Sequence, residues 1–212
     1  SQEVAYYRTK TNHILSKALP LMEIYTGESK EEFHRFLAGE AGKDGVSSNL
    51  YTALPLYTIS EELFQNILER NHIPAEKQQM LLQELRREKD NFLQTLQSGS
   101  VEDRIPALSR EEYAEMPLAL SLSEAFYEHE ICCTYDEYLE HYHQTMAFAE
   151  HNPNYTVLSQ HTRIFRNIQI RIKHSERVVI SKNKSPVIHF VIRHPKMRKA
   201  IEDGLWQVLN EE

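Results

Sequence analysis

Ile168-Gln169-Ile170-Arg171-Ile172 is the stretch that decides the fold class. Isoleucine at every second position puts three β-branched side chains on one face of an extended chain and the polar pair on the other. That is a half-buried strand. Working outward, Val178-Val179-Ile180 follows a short polar turn at His174-Ser175-Glu176, and Val187 to Ile192 supplies a third strand. Tyr155 to Leu158 offers a fourth. Pro195 opens a last helix with Met197, Ala200, Ile201, Leu205 and Leu209 on one stripe. Short links between consecutive strands predict an antiparallel meander of three or four strands, with that helix over the isoleucine face. The opposite face, bearing Arg171 and Lys173, is left open to contact with the rest of the chain.

Before Asn152 the period is that of a helix. Val4, Tyr7, Ile14, Leu15, Ala18 and Leu19 outline a first amphipathic helix. Ser29 and Glu32 form a capping box ahead of Phe33, Phe36 and Leu37, and Ser60 heads Leu63, Phe64, Ile67 and Leu68. Residues 39–49, with Gly39, Gly42 and Gly45, read as a surface loop. From Pro74 to Leu96 there is no further Gly or Pro, and Leu82, Leu85, Phe92 and Leu96 form a heptad-like seam interrupted by Lys89. That seam suits either a core-facing helix or a dimer interface. Ser109 with Glu112 and Thr134 with Glu137 cap two more helices, the second carrying Tyr138, Leu139 and Tyr142. The expected class is α+β. A mainly helical body for dimerisation and sensing spans residues 1–152, and a small basic strand-and-helix unit spans residues 153–212.

Charge divides along the same line. Residues 161–200 hold eleven Lys or Arg and one acid, Glu176, giving +10 there and −17 elsewhere in a chain whose net charge is −7. Three readings account for this basic segment. It is a nucleic-acid footprint, although only Phe165 and Phe190 supply the aromatics that a single-strand platform needs. It is a site for an anionic small molecule or a phosphorylated partner. Or it pairs with the acidic body across an internal interface.

Motifs exclude more than they assign. Gly42-Lys43 is followed by Asp44, and Leu37 stands where a phosphate loop needs its first glycine. His129, Glu130, Cys132, Cys133, Glu137, Glu140, His141, His143 and His151 are concentrated enough to suggest a metal. The adjacent cysteines lack zinc spacing, however, and a single Glu-x-x-His, Glu140 to His143, is half of a di-iron set. No nucleophile elbow is present, and His189 reads as a polar-face residue of its strand. Hence no catalytic, ligand-binding or metal residue is assigned, and no cofactor is expected. The two adjacent cysteines are too close for an unstrained disulfide. Two free thiols, no signal pattern and no apolar run of about 20 residues predict a cytoplasmic protein with no membrane contact. Ser1 at the start suggests a piece cut from a longer protein.

Phe165 to Ile172, Arg177 to Lys182, Pro186 to Ile192 and His194-Pro195 with Ala200-Ile-Glu-Asp203 together resemble the C-terminal end of a group of bacterial transcriptional regulators. These have a lambda-repressor-like helix-turn-helix at the N-terminus and a sensor-like region behind it. The resemblance covers about the last 60 residues and carries no motif residue across. It implies a non-enzymatic regulatory chain, without its DNA-binding part, that forms a homodimer and answers to an effector such as an anionic small molecule. Duplex DNA binding by this chain alone is not expected, given its net negative charge. The rival reading is an enzyme that acts on a phosphorylated or otherwise anionic small substrate through the basic C-terminal unit.

Overall fold

A computed structural model describes residues 19–40, 43, 45–120, 130–161, 168–182 and 186–210. The first helix expected from Val4 to Leu19 lies almost wholly outside them, as do Gly42 and His129. Seven strands form one sheet: β1 Met22–Thr26, β2 Gly45–Leu50, β3 Gly99–Pro106, β4 Tyr155–Gln160, β5 Ile168–Lys173, β6 Arg177–Lys182 and β7 Ile188–Ile192. Their order is β1-β7-β6-β5-β2-β3-β4. The described helices are α1 Lys30–Glu40, α2 Glu61–Arg70, α3 Ala75–Ser98, α4 Arg110–Glu115, α5 Tyr135–His151 and α6 Pro195–Asn210.

The expected three- or four-stranded antiparallel sheet behind a mainly helical body is thereby corrected. β5, β6 and β7 do run antiparallel to their neighbours, but β2 pairs in parallel with β3, and β3 in parallel with β4. Parallel neighbours need long crossovers, and here α2 with α3, and α4 with α5, supply them. Helices that looked like a separate body are the connections of a mixed sheet. β1 then adds to the outer edge of β7.

Each face of the sheet has its own cover. Ile170, Ile172, Val178 and Leu50 pack with Leu205 and Ile201 of α6. On the opposite face Val179 and Val191 meet Phe33 of α1, while Val101 and Tyr155 meet Phe92 and Leu96 of α3. Gly99 stands opposite Gly45 where β2 and β3 begin. A Cβ there would stand 2.1 Å from the Gly45 carbonyl oxygen, so only glycine lets this pair begin where it does.

The seam of α3 is spent inside the chain. Leu82 and Leu85 pack with Leu63, Phe64, Ile67 and Leu68 of α2, and Lys89, the residue that breaks the heptad, donates to the Ile59 carbonyl. Leu85→Asp is therefore expected to unfold the protein rather than to dissociate a dimer. Leu85 is 1 % exposed, and an uncompensated carboxylate there should cost more than about 4 kcal/mol. Circular dichroism melts should lose their cooperative transition at every protein concentration. A native-like melt would show that the seam is accessible.

Candidate functional site

Strand register brings three cations together. Arg171 and Lys173 are two apart on β5 and share a face, and Lys173 lies directly opposite Arg177 of β6. On the other flank β2 sets Asn49 beside Arg171 and Ser47 beside Lys173. This face was expected to be left open by its own unit and to meet the helical body, and α1 and α3 do lie over it, bounding a half-open cavity of about 140 Å³. From α1 come His34, Leu37 and Glu40, and from α3 come Arg87, Glu88, Asn91, Phe92 and Thr95. Lys173 is only 4 % exposed and Arg177 is buried, whereas Lys43 and Arg87 remain largely open to solvent. Among the described lining residues, five cations face two carboxylates.

Like charges directly opposite each other in a sheet repel. Glu40 answers that repulsion, with Oε2 3.1 Å from Arg177 Nε and 3.7 Å from Lys173 Nζ. Burial pushes the Glu40 pKa upward, but Arg177 and Lys43 outweigh it and hold the carboxyl below its usual value. Glu176 approaches Lys173 Nζ to 3.3 Å. Neither carboxylate is aligned for a hydrogen bond to it. Among the described residues, five buried side-chain atoms have no hydrogen-bond partner, and two of them, Lys173 Nζ and Arg171 Nε, belong to this cavity. Such groups cost free energy where they stand, which is tolerated at sites that bind something.

Across the cavity Glu88 is weakened as a counter-charge. Burial pushes its carboxyl up to about 7; Arg171 opposes the shift and Glu84 adds to it. His34 is held below its usual value by burial and by Arg87 and Lys30. Near neutral pH the positive excess is therefore only partly offset.

An aromatic wall bounds one side of the cavity. Tyr57 stacks on Phe92 with ring centroids 3.8 Å apart, and the Arg171 guanidinium lies 5.9 Å from the Tyr51 ring centre. Behind the wall Asp103, with no exposed surface, accepts hydrogen bonds from three groups. Tyr155 Oη donates at 2.7 Å, Asn49 Nδ2 at 2.8 Å, and Tyr57 Oη donates to the same oxygen as Tyr155. Burial raises the Asp103 pKa, with these donors pulling the other way.

No protein-family model, curated protein or solved structure matches the chain.

Among the described residues singled out from sequence as ligand candidates, no three converge. His141 is buried, its Nε2 2.9 Å from the Pro55 carbonyl oxygen, and burial lowers its pKa to about 4. Glu137 pairs with Arg70 and accepts from the Thr134 backbone, while Glu140 and His143 line an open surface groove. Cys132 and Cys133 are free thiols. No three His, Cys, Asp or Glu residues among those described are placed to hold a metal ion. His189 stacks on Phe33 at 3.8 Å, and its Nδ1 lies 2.8 Å from Ser181 Oγ, so it serves the packing under α1.

The basic segment divides between the two faces. Arg171, Lys173 and Arg177 meet the helices, and Arg193 pairs with Glu23 at 2.5 Å. Lys199 belongs to α6 and pairs with Asp203 on its own helix. Glu40, Arg87, Glu88 and Asn49 were not foreseen. Arg87 and Glu88 sit on a helix whose apolar stripe alone was legible, Glu40 ends a helix where the sequence reads as loop, and Asn49 sits on a strand that reads as loop.

Proposed function

We propose that the chain is an effector-sensing regulatory domain, and that its effector is a small anion held in the cavity between the sheet and helices α1 and α3. The observation that carries this is the convergence of Arg171, Lys173 and Arg177 on one half-open cavity, two of them with buried nitrogens that have no hydrogen-bond partner. A cavity of about 140 Å³ is close to the size that accepts benzene, so the effector is compact, of about six non-hydrogen atoms or slightly more. Placed between strands and helices, it would favour one arrangement of the helical layer by its differential affinity for the two. In a transcriptional regulator that shift would be passed to attached DNA-binding domains. Self-association, which belongs to this reading, has to use a face other than the α3 seam.

Sulfate is the probe of choice because its charge does not change near neutral pH. Titrated at matched ionic strength against chloride, it should bind saturably and raise the melting temperature. Its affinity should fall severalfold between about pH 6 and about pH 8, as Glu88 loses its proton beside Arg171. His34 is held below its usual value by burial, so any charge it gains comes toward the acid end of that window and acts in the same direction as Glu88. The sign for stability follows from the same shift. The folded state holds the Glu88 proton more tightly than the unfolded chain does, so Glu88 lowers stability increasingly as pH rises from the usual carboxylate value through about 7. A linear, salt-like response to sulfate with no pH dependence would rule out the site.

The rival, an enzyme acting on an anionic substrate, has Glu88 in its favour, since a carboxyl held near 7 suits proton transfer. Turnover of a small phosphate ester that stops in Glu88→Gln would favour it.

A further inference from the structure

We propose that Glu40 is a built-in competitor for the cavity's cations, and that an incoming oxyanion displaces it from Lys173 and Arg177 and so frees the last turn of α1. This rests on the anion-binding reading above. Lys173 and Arg177 face each other directly across β5 and β6, so the folded sheet needs negative charge between them. Glu40 is the carboxylate shared by both, at 3.7 and 3.1 Å. A ligand anion can meet the same need, and the two then exclude each other.

Three features make Glu40 the weaker of the two partners. It is the last residue of α1, where the negative end of the helix dipole disfavours a carboxylate. Its two oxygens are already divided, one toward Arg177 and Lys173 and the other toward Lys43 at 3.2 Å. It leaves Lys173 Nζ and Arg171 Nε without hydrogen bonds. A sulfate-, phosphate- or carboxylate-bearing ligand set between the strands and α3 offers acceptor oxygens to both of those nitrogens and to the Arg177 fork.

The two competitors also differ in what they are attached to. The cations stand on central strands of the sheet, whereas Glu40 ends a helix held to β6 and β7 mainly through Phe33. Exchange of one anion for the other therefore reports occupancy as a change in α1. The sheet itself need not move.

The test is sulfate titration of wild type and Glu40→Gln by calorimetry at matched ionic strength, with hydrogen exchange of the wild type recorded with and without saturating sulfate. Glu40→Gln should bind sulfate roughly tenfold more tightly, within the usual range of coupling between competing sites. Wild-type amides from Leu37 to Glu40 should exchange faster when sulfate is bound. Equal or weaker binding by Glu40→Gln, or unchanged or slower exchange at those amides, would overturn the proposal. Should Glu40→Gln fail to fold, the wild-type exchange result decides alone. If wild type binds and Glu40→Gln gains nothing, only the role of Glu40 falls. If neither binds sulfate, the anion site falls with it.

Discussion

Asp103→Ala is expected to lower the stability of the protein by about 3–5 kcal/mol, the usual cost of removing one partner from a buried charged network. In a chain of this length that is on the order of 10 °C in melting temperature. The size follows from what is left behind. Tyr57, Tyr155 and Asn49 all aim donors at this carboxylate, in a region with no water-accessible surface at Asp103 itself. Each orphaned donor costs about 1–3 kcal/mol, and they cannot all find new partners among Val101, Phe92 and Phe148. Tyr57→Phe and Tyr155→Phe should each cost only about 1 kcal/mol, since each removes a donor and leaves the carboxylate two others. Combined with Asp103→Ala, each should add less than its own cost, because the orphan it would remove is already counted. Thermal melts of the six proteins check the whole set. A loss below about 1 kcal/mol for Asp103→Ala would mean that the network does not hold β2, β3 and β4 in register.

Lys173→Met should weaken sulfate binding by about 2–3 kcal/mol, or roughly 30- to 150-fold, the worth of a charge-assisted hydrogen bond made in a buried site. The same substitution should leave stability unchanged or slightly raised. It loses the ion pairs to Glu40 and Glu176, but Glu40 keeps Arg177 and Lys43, and Glu176 is half exposed. The loss is offset by relief of the repulsion with Arg177 and by removal of a buried ammonium without a hydrogen bond. Opposite signs for binding and stability separate a ligand site from a structural ion pair, which would lose stability on the same change. Lys199→Met removes one charge from the exposed far face of α6 and should leave affinity within about twofold. Calorimetric titrations and melts of the three proteins give both readouts. Equal loss of affinity in the two variants would mean that sulfate responds only to net charge.

Local chemistry was legible wherever side chains repeat cleanly. The alternation at Ile168, Ile170 and Ile172 marks β5, and the stripe of Ile201 and Leu205 marks the helix that covers it. Ser60, Ser109 and Thr134 each accept a backbone N–H at the helix starts where their spacing sets them. Three strands escaped notice because the usual apolar signal is absent. In β3 the buried slots are Val101, Asp103 and Ile105, so a carboxylate interrupts the period at its centre. In β2 the inward slots Ser47 and Asn49 face the cavity and are polar. β1 is an edge strand with exposed Met22 and Ile24, and it follows Pro20 in a stretch that reads as a helix end. With β2 and β3 missing, the crossover helices read as a helical body in their own right. The candidate site was half visible. Arg171 and Lys173 read as one polar face, but Glu40, Arg87 and Glu88 reach that face from helices that connect distant parts of the sheet. No spacing in the sequence encodes that meeting.

Crystallising the protein with selenate in place of sulfate, and locating selenium by its anomalous scattering, tests the central claim most directly. The account predicts a peak between the sheet and α3, with selenate oxygens in hydrogen-bond reach of Lys173 Nζ and the Arg171 guanidinium. It further predicts that the peak disappears in Lys173→Met. Selenium found only on exterior cations such as Lys199, with the cavity closed over Lys173 and Glu40, would contradict it.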